Sequence, residues 1–240
     1  MASTYLSLTN KLLRKINEVE ISEADFTNTR GVQTLAKDAI ADAIGQINQA
    51  EYEWPFNAAQ HTQVLAVGQE EYSWPEFFKV VDWNSFQIQK NESLGVGHKM
   101  LEFMDRDVYY KHHKSADDDA GVIGVRCPEY VAPSHGNGYI VSPSPDKQYS
   151  IQFKYYMNNV GLTAQSDTTR IPNSYDNVII DGALYYMYMF RDNPEAAGVS
   201  IQIFQQGIKN MQGIFINKYE RVYDTRISKN SKLGPEYIGL

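Results

Sequence analysis

The chain has 240 residues, 42% hydrophobic and 21% charged, a globular balance with enough apolar side chain for one large core or two smaller ones. Its net charge of −7 argues against a protein that grips nucleic acid by neutralising phosphates. A single cysteine, Cys127, excludes an intrachain disulfide and a thiolate metal cluster, and no run approaches the ~18 apolar residues of a membrane span. The opening MASTYLSLTNKLLRK lacks the apolar region of a signal peptide, so synthesis and residence in a reducing cytoplasm are expected. Tyrosine is abundant, at 17, and its apolar ring and polar tip suit half-wet surfaces such as subunit contacts as well as outward strand faces.

Residues 5–19 predict a helix, with Leu8, Leu12, Ile16 and Val19 on one stripe. Residues 29–50 predict a second, in which Val32, Leu35, Ala36, Ala39, Ile40, Ala43, Ile44 and Ile47 follow the helical period. Small residues on it, Ala36, Ala39, Ala43 and Gly45, allow another helix to come close. The pattern breaks at Trp54-Pro55, because the residue before a proline is pushed out of the helical region. Short alternating runs follow, with strands expected at 60–67, 79–89, 93–103, 122–127, 138–142 and 149–157. Gly68 marks a turn, and Tyr72 to Pro75 begin the next extended segment at a sheet edge, where a missing N–H is tolerated. HKSADDDAG and VAPSHGNG read as loops.

Helical character returns near Tyr175, with Val178, Ile179, Ala183, Tyr186, Met187 and Phe190 as an apolar face. Asn193-Pro194-Glu195 has the cap, the first-turn proline and the first-turn acid of a new helix. Its seam is Ala197, Ile201, Phe204, Ile208, Met211 and Phe215. The last stretch reads as an extended tail with an apolar end. The expected fold is therefore α+β. A helical bundle is built from the N-terminal (1–52) and C-terminal (173–217) helices. An all-β unit, a sandwich or a partly open barrel, is inserted at 53–172, and 218–240 form the tail.

No catalytic residue, metal ligand or cofactor site is expected. The sequence has no GxSxG, phosphate-binding GKS/T, HExxH or EF-hand pattern. His112-His113 beside Asp117, Asp118 and Asp119 has no fixed metal spacing and reads as a solvated loop. Glu70-Glu71 reads as a solvated turn, and Cys127 as a buried, inert thiol. Trp54, Trp74 and Trp83 suit core or interface roles equally, and Trp74 and Trp83 would be the stacking platforms of a carbohydrate-binding module.

Several phrases, in order, carry a resemblance: EWPFN, QVLAVGQEEYSWPEFFKVVDW, Pro128-Glu129-Tyr130, YIVSPSPDKQYSIQFKYY and IPNSYDNVIIDGALYYMYMFRDNPEAA. Together they resemble the head-to-tail adaptors of tailed phages, most nearly the tail tubular protein A type of short-tailed phages, over residues 5–216. The resemblance implies a structural virion protein and not an enzyme. It implies a dodecameric ring at the head–tail junction, held between a portal protein and the tail nozzle or next tail component. DNA would pass through this ring without specific binding, and no membrane would be involved. Some such adaptors thread a C-terminal segment against the portal, which here points to Tyr219, Tyr223, Arg226, Ile227, Tyr237, Ile238 and Leu240 as portal or subunit contacts. Tyr72, Trp74 and Phe77 are the expected tail-side or subunit contacts. Another neck or tail component, such as a completion, nozzle or terminator protein, and a carbohydrate-binding module are the alternatives.

Overall fold

The computed structural model describes residues 3–114, 125–158 and 161–216. Helices α1 (Tyr5–Lys15), α2 (Val32–Ala50), α4 (Asp176–Phe190) and α5 (Pro194–Phe215) form one bundle from the two ends of the sequence. Helix α4 sits inside it, packed on α2 and α5 and touching α1. Leu8, Leu12, Ile40, Ile44, Ile47, Ile179, Ala183, Met187, Phe204 and Met211 fill the core. Gly182 shows how close the helices come. A Cβ there would lie 2.7 Å from the Phe204 ring and 3.0 Å from the Ala43 Cβ.

The helix ends follow their sequence signals. Thr4 caps α1 by accepting from Ser7 N (3.2 Å), and Asn193 caps α5 by accepting from Ala196 N (3.2 Å). Asp176, buried at the start of α4, accepts from Ser3 Oγ (2.6 Å) and Lys11 Nζ (2.5 Å), and Lys15 pairs with Asp181 (3.0 Å). These contacts tie α1 to α4. Helix α1 ends earlier than its stripe predicts, because Asn17 adopts φ 59°. Val19, expected on the stripe, is 77% exposed. Ile21 takes the buried place instead, held by both ends of the Asn10 side-chain amide (2.9 Å each).

The inserted unit has two sheets around one core. The first runs β1 (Ala58–Val64), β9 (Ser150–Met157), β4 (Gln87–Ile88), β5 (Lys99–Met100), with β3 (Phe78–Val81) also on β9. The second runs β2 (Glu71–Ser73), β8 (Gly138–Ser142), β7 (Tyr130–Pro133), β6 (Glu102–Phe103). All pairings are antiparallel except β6 with β7. Strand β9 is the spine, and its Ile151, Phe153 and Tyr155 point inward with the predicted period of two. Aromatic rings fill the space between the sheets. Phe86 stacks on Phe153 (4.4 Å), and Trp74 stacks on Phe78 (4.2 Å) and leans on Tyr139 (5.0 Å).

Several expected strands are broken by local chemistry. The run 79–89 splits because Asp82 accepts from Asn84 N (3.1 Å) and turns the chain through Trp83–Ser85. The run 93–103 splits twice, at the left-handed Gly95 and at buried Leu101, where the chain leaves one sheet for the other. Of the expected strand 122–127, residues 122–124 lie outside the described residues and 125–127 are not strand; the ladder position falls to β7. The unit is also not purely β: Asp105 caps a short helix, α3 (Arg106–His112), by accepting from Asp107 N (2.9 Å).

Candidate interaction surfaces

Of the three residues expected at a tail-side or subunit contact, two serve the chain's own corner. Gly68 adopts φ +72° and turns the chain from β1 to β2. Tyr72 is buried. Its hydroxyl accepts from Ala66 N (2.9 Å) and donates to Gln69 O (3.0 Å), closing that turn. Burial raises its pKa, which the Ala66 N–H partly opposes. Trp74 is half-buried, with one face on Phe78 at an interplanar angle of 3° and its edge on Trp83. Phe77 is different. It is 41% exposed and held at φ 57°, an unusual conformation for a bulky residue. The seven tail residues Tyr219, Tyr223, Arg226, Ile227, Tyr237, Ile238 and Leu240 lie outside the described residues.

The tryptophans are not free to stack on a sugar. Trp54 is fully buried, and its Nε1 donates to Ile47 O (2.7 Å). Trp83 lies between Phe86 and Phe103. The carboxylates at the corner are also engaged, not simply solvated. Glu70 accepts from Tyr109 Oη (2.7 Å) and pairs with Lys114, while Glu71 accepts from Ser134 Oγ. They fasten α3 and the 134–136 turn to the β1–β2 corner. His113 and His135 rest against Tyr130 and Tyr110. Cys127 is half-buried, with Sγ 3.7 Å from Pro128 O. Among the described residues no group of His, Cys, Asp and Glu could hold a metal ion, and no helix is long and apolar enough to cross a membrane.

The bundle also carries exposed apolar side chains. On α5, Val199, Ile203 and Ile214 are exposed, and Met189 and Phe190 are exposed at the end of α4. A shallow groove between these helices is lined by Val178, Ile203 and Gly207, with Asn177 and Asn210 at its rim. Gly207 makes the groove, since a Cβ there would meet Val178 at 2.9 Å. This stripe runs beside the buried seam of α5. Its signal in the sequence is Val199 and Ile203 four residues apart, with Ile214 further along the same helix. On the β unit, Val64, Met100, Phe103 and Val108 are exposed. Exposed apolar residues on two parts of one molecule are what a head-to-tail assembly uses.

Aromatic contacts and hydrogen bonds join the two parts. The Trp54 ring stacks on Phe56 (5.2 Å), and Phe215 meets both rings edge-on (6.3 and 5.7 Å). Asn57 Nδ2 donates to Asn48 Oδ1 (2.6 Å). Lys79 reaches from β3 to the C-terminal carbonyls of α2, Asn48 O and Glu51 O, where a cation complements the helix dipole. Burial lowers its pKa, which Glu51 partly opposes.

No curated protein matches the chain. The family model described as SU10 adaptor protein matches residues 3–227, which takes in both the bundle and the β unit. The chain belongs to the SU10 adaptor protein family.

Proposed function

We propose that the protein is the head-to-tail adaptor of a tailed phage, a structural subunit that forms a ring between the portal protein and the tail nozzle or next tail component. The ring has twelve copies in this reading and encloses the channel through which DNA leaves the capsid. Its assembly parts are the bundle (1–52 with 173–217), the β unit (53–172) and the tail (218–240). The bundle faces the portal, and the β unit, with Phe77 at its surface, faces the tail. The tail docks on the portal, through Tyr219, Tyr223, Arg226 and Ile227 and the apolar end Tyr237, Ile238 and Leu240.

The observation that carries this reading, beside the family, is the exposed apolar band of α4 and α5. A ring needs two unlike patches on every copy. The band supplies one, and the β unit, whose exposed Val64, Met100 and Phe103 lie on separate strands, is left to supply the other. The net charge of −7 suits a channel that must not hold DNA. Replacing an exposed apolar side chain with a charge disrupts association and spares the fold. Ile203 is 51% exposed, so Ile203→Asp should keep the thermal unfolding of the native chain and lose assembly on purified portal, measured by light scattering. Full assembly of the Ile203→Asp variant removes the band from the account, and no assembly of the native chain on any portal ends the adaptor reading.

A further inference from the structure

Strand β1 is the one long open edge in the β unit among the described residues. It pairs only with β9, while β3 and β4 occupy the other side of β9. The bond from Leu65 N to Tyr149 O (2.7 Å) fixes which groups face the sheet. Pairs alternate in an antiparallel ladder, so Ala59, His61 and Gln63 exchange hydrogen bonds with β9. The N–H and C=O groups of Ala58, Gln60, Thr62 and Val64 therefore point away from it. Two of these groups have partners in the chain: Ala58 N donates to Pro55 O, and Val64 O accepts from Gln63 Nε2 (2.9 Å). The others, Ala58 O, Gln60 N and O, Thr62 N and O, and Val64 N, have none among the described residues.

This edge has none of the usual protections. Its sequence, AAQHTQV, has seven residues and neither a Lys, an acid nor a proline. The other edges are short or guarded. β2 has three residues, β5 and β6 have two each, and β3 carries Lys79 and a register shift. Among the described residues, the open strand of a second copy that matches β1 in length is therefore β1 itself.

Two copies of β1 related by a two-fold axis run antiparallel, and the pattern of free groups selects one register. With His61 opposite His61 of the second copy, Gln60 pairs with Thr62 and Ala58 with Val64 across the axis. Gln60 and Thr62 exchange both bonds of a ladder pair, and symmetry repeats them. Val64 N donates to Ala58 O, again in both directions. The remaining match, Ala58 N with Val64 O, joins the two groups that the chain already satisfies. Every free group on the edge is thus used. Sliding one strand by two residues sets a satisfied group against a free one and leaves other groups unpaired. No carboxylate, ammonium or guanidinium meets its like, since the strand carries none.

We propose that the free chain pairs edge to edge with a second copy through β1, joining the first sheets of both into one continuous sheet across a two-fold axis. The contact uses the same patch on each copy, so it closes at two and is not repeated around a ring. It covers the open edge before assembly, and it does not rest on the adaptor reading.

The test is analytical ultracentrifugation of the full chain from about 1 μM to 1 mM, with amide hydrogen exchange followed by NMR at both ends of the range. The mass should double as concentration rises and go no further. The amides of Gln60, Thr62 and Val64 should exchange roughly tenfold or more slowly at the upper end, because each gains a ladder bond. The His61 and Gln63 amides, bonded to β9, should be unchanged. Thr62→Lys places a charge on the edge, and Thr62→Pro removes an N–H that has no partner among the described residues. Each variant that keeps the native thermal unfolding should stay monomeric throughout. A native chain that is monomeric at every concentration overturns the proposal, as does one whose mass grows past two copies. So does a dimer that such a variant retains. Protection of the three amides that is the same at both concentrations also overturns it, since the chain would then cover its own edge.

Discussion

The bundle and the β unit reach order by different means. The bundle has four helices of 11 to 22 residues and an aliphatic core in which Ala43 and Gly182 let backbones approach. The β unit has strands of two to eight residues, too short for backbone pairing alone to hold them. Interlocked rings hold them instead: Trp74, Phe78, Trp83, Phe86, Tyr139 and Phe153. In one part the backbone sets the geometry and side chains fill in. In the other, side-chain packing sets the geometry and short ladders follow.

The two parts depend on the junction, and Trp54 is its centre. Trp54→Ala should cost about 3–5 kcal/mol in chemical denaturation, the usual loss for a buried tryptophan. A loss below about 1 kcal/mol would show that the parts are stable without it.

The glycines test whether each part is as tightly set as described. A Cβ at Gly138 would lie 2.2 Å from Tyr72 O, and one at Gly182 would lie 2.7 Å from Phe204. Gly138→Ala and Gly182→Ala should each destabilise by about 1–3 kcal/mol, the first by opening β2 from β8 and the second by forcing α4 off α5. Gly45, on α2, has nothing within 4 Å of its Cβ position. Gly45→Ala should therefore stabilise by about 0.5–1 kcal/mol. Equal effects at all three would break the contrast.

Lys79 is a smaller link. Lys79→Met keeps the aliphatic stem and removes the charged bonds to Asn48 O and Glu51 O, at a cost of about 1–2 kcal/mol. The native chain should melt in one calorimetric transition, and the variant should separate the bundle from the β unit. A single unshifted transition in Lys79→Met would mean that the aromatic junction alone couples them.

Tyr5 offers a pH handle on the bundle. Its hydroxyl donates to Lys37 O (2.9 Å). Burial, with Asp38 and Asp42 nearby, pushes its pKa from 10.0 up to about 12. The folded pKa is raised, so the neutral phenol's contribution is complete below pH 10.0 and is lost as pH rises through about 12. Across that window the native chain should lose on the order of 1–2 kcal/mol relative to Tyr5→Phe. Parallel pH curves for the two proteins would contradict the assignment.

The bundle was the more legible part. The cap at Asn193, Pro194 and the seam from Ala197 to Phe215 appear in the fold as the sequence reads them. A long period averages over local exceptions, so the misreadings sit at helix ends: left-handed Asn17 stops α1, α2 begins at Val32 and not at 29, and Phe190, expected on the apolar face, is exposed where α4 ends. Short strands have no such averaging. One Asp82 side chain splits a run, and buried Leu101 changes sheets, which no periodicity announces. The surfaces were less legible still. Tyr72 and Trp74 look like contact residues in sequence, but whether a ring faces out depends on neighbours far along the chain, such as Tyr139. Val199 and Ile203 look like ordinary helix residues until α4 and the rest of the bundle show which side of α5 is covered.

The most direct test of the central claim is cryo-electron microscopy of the purified chain mixed with portal rings from the same phage. The account predicts a twelvefold ring of this protein seated on the portal, with the α4–α5 band buried between copies and an open channel at the centre. A sixfold ring, or a portal that stays bare at saturating protein, would contradict it.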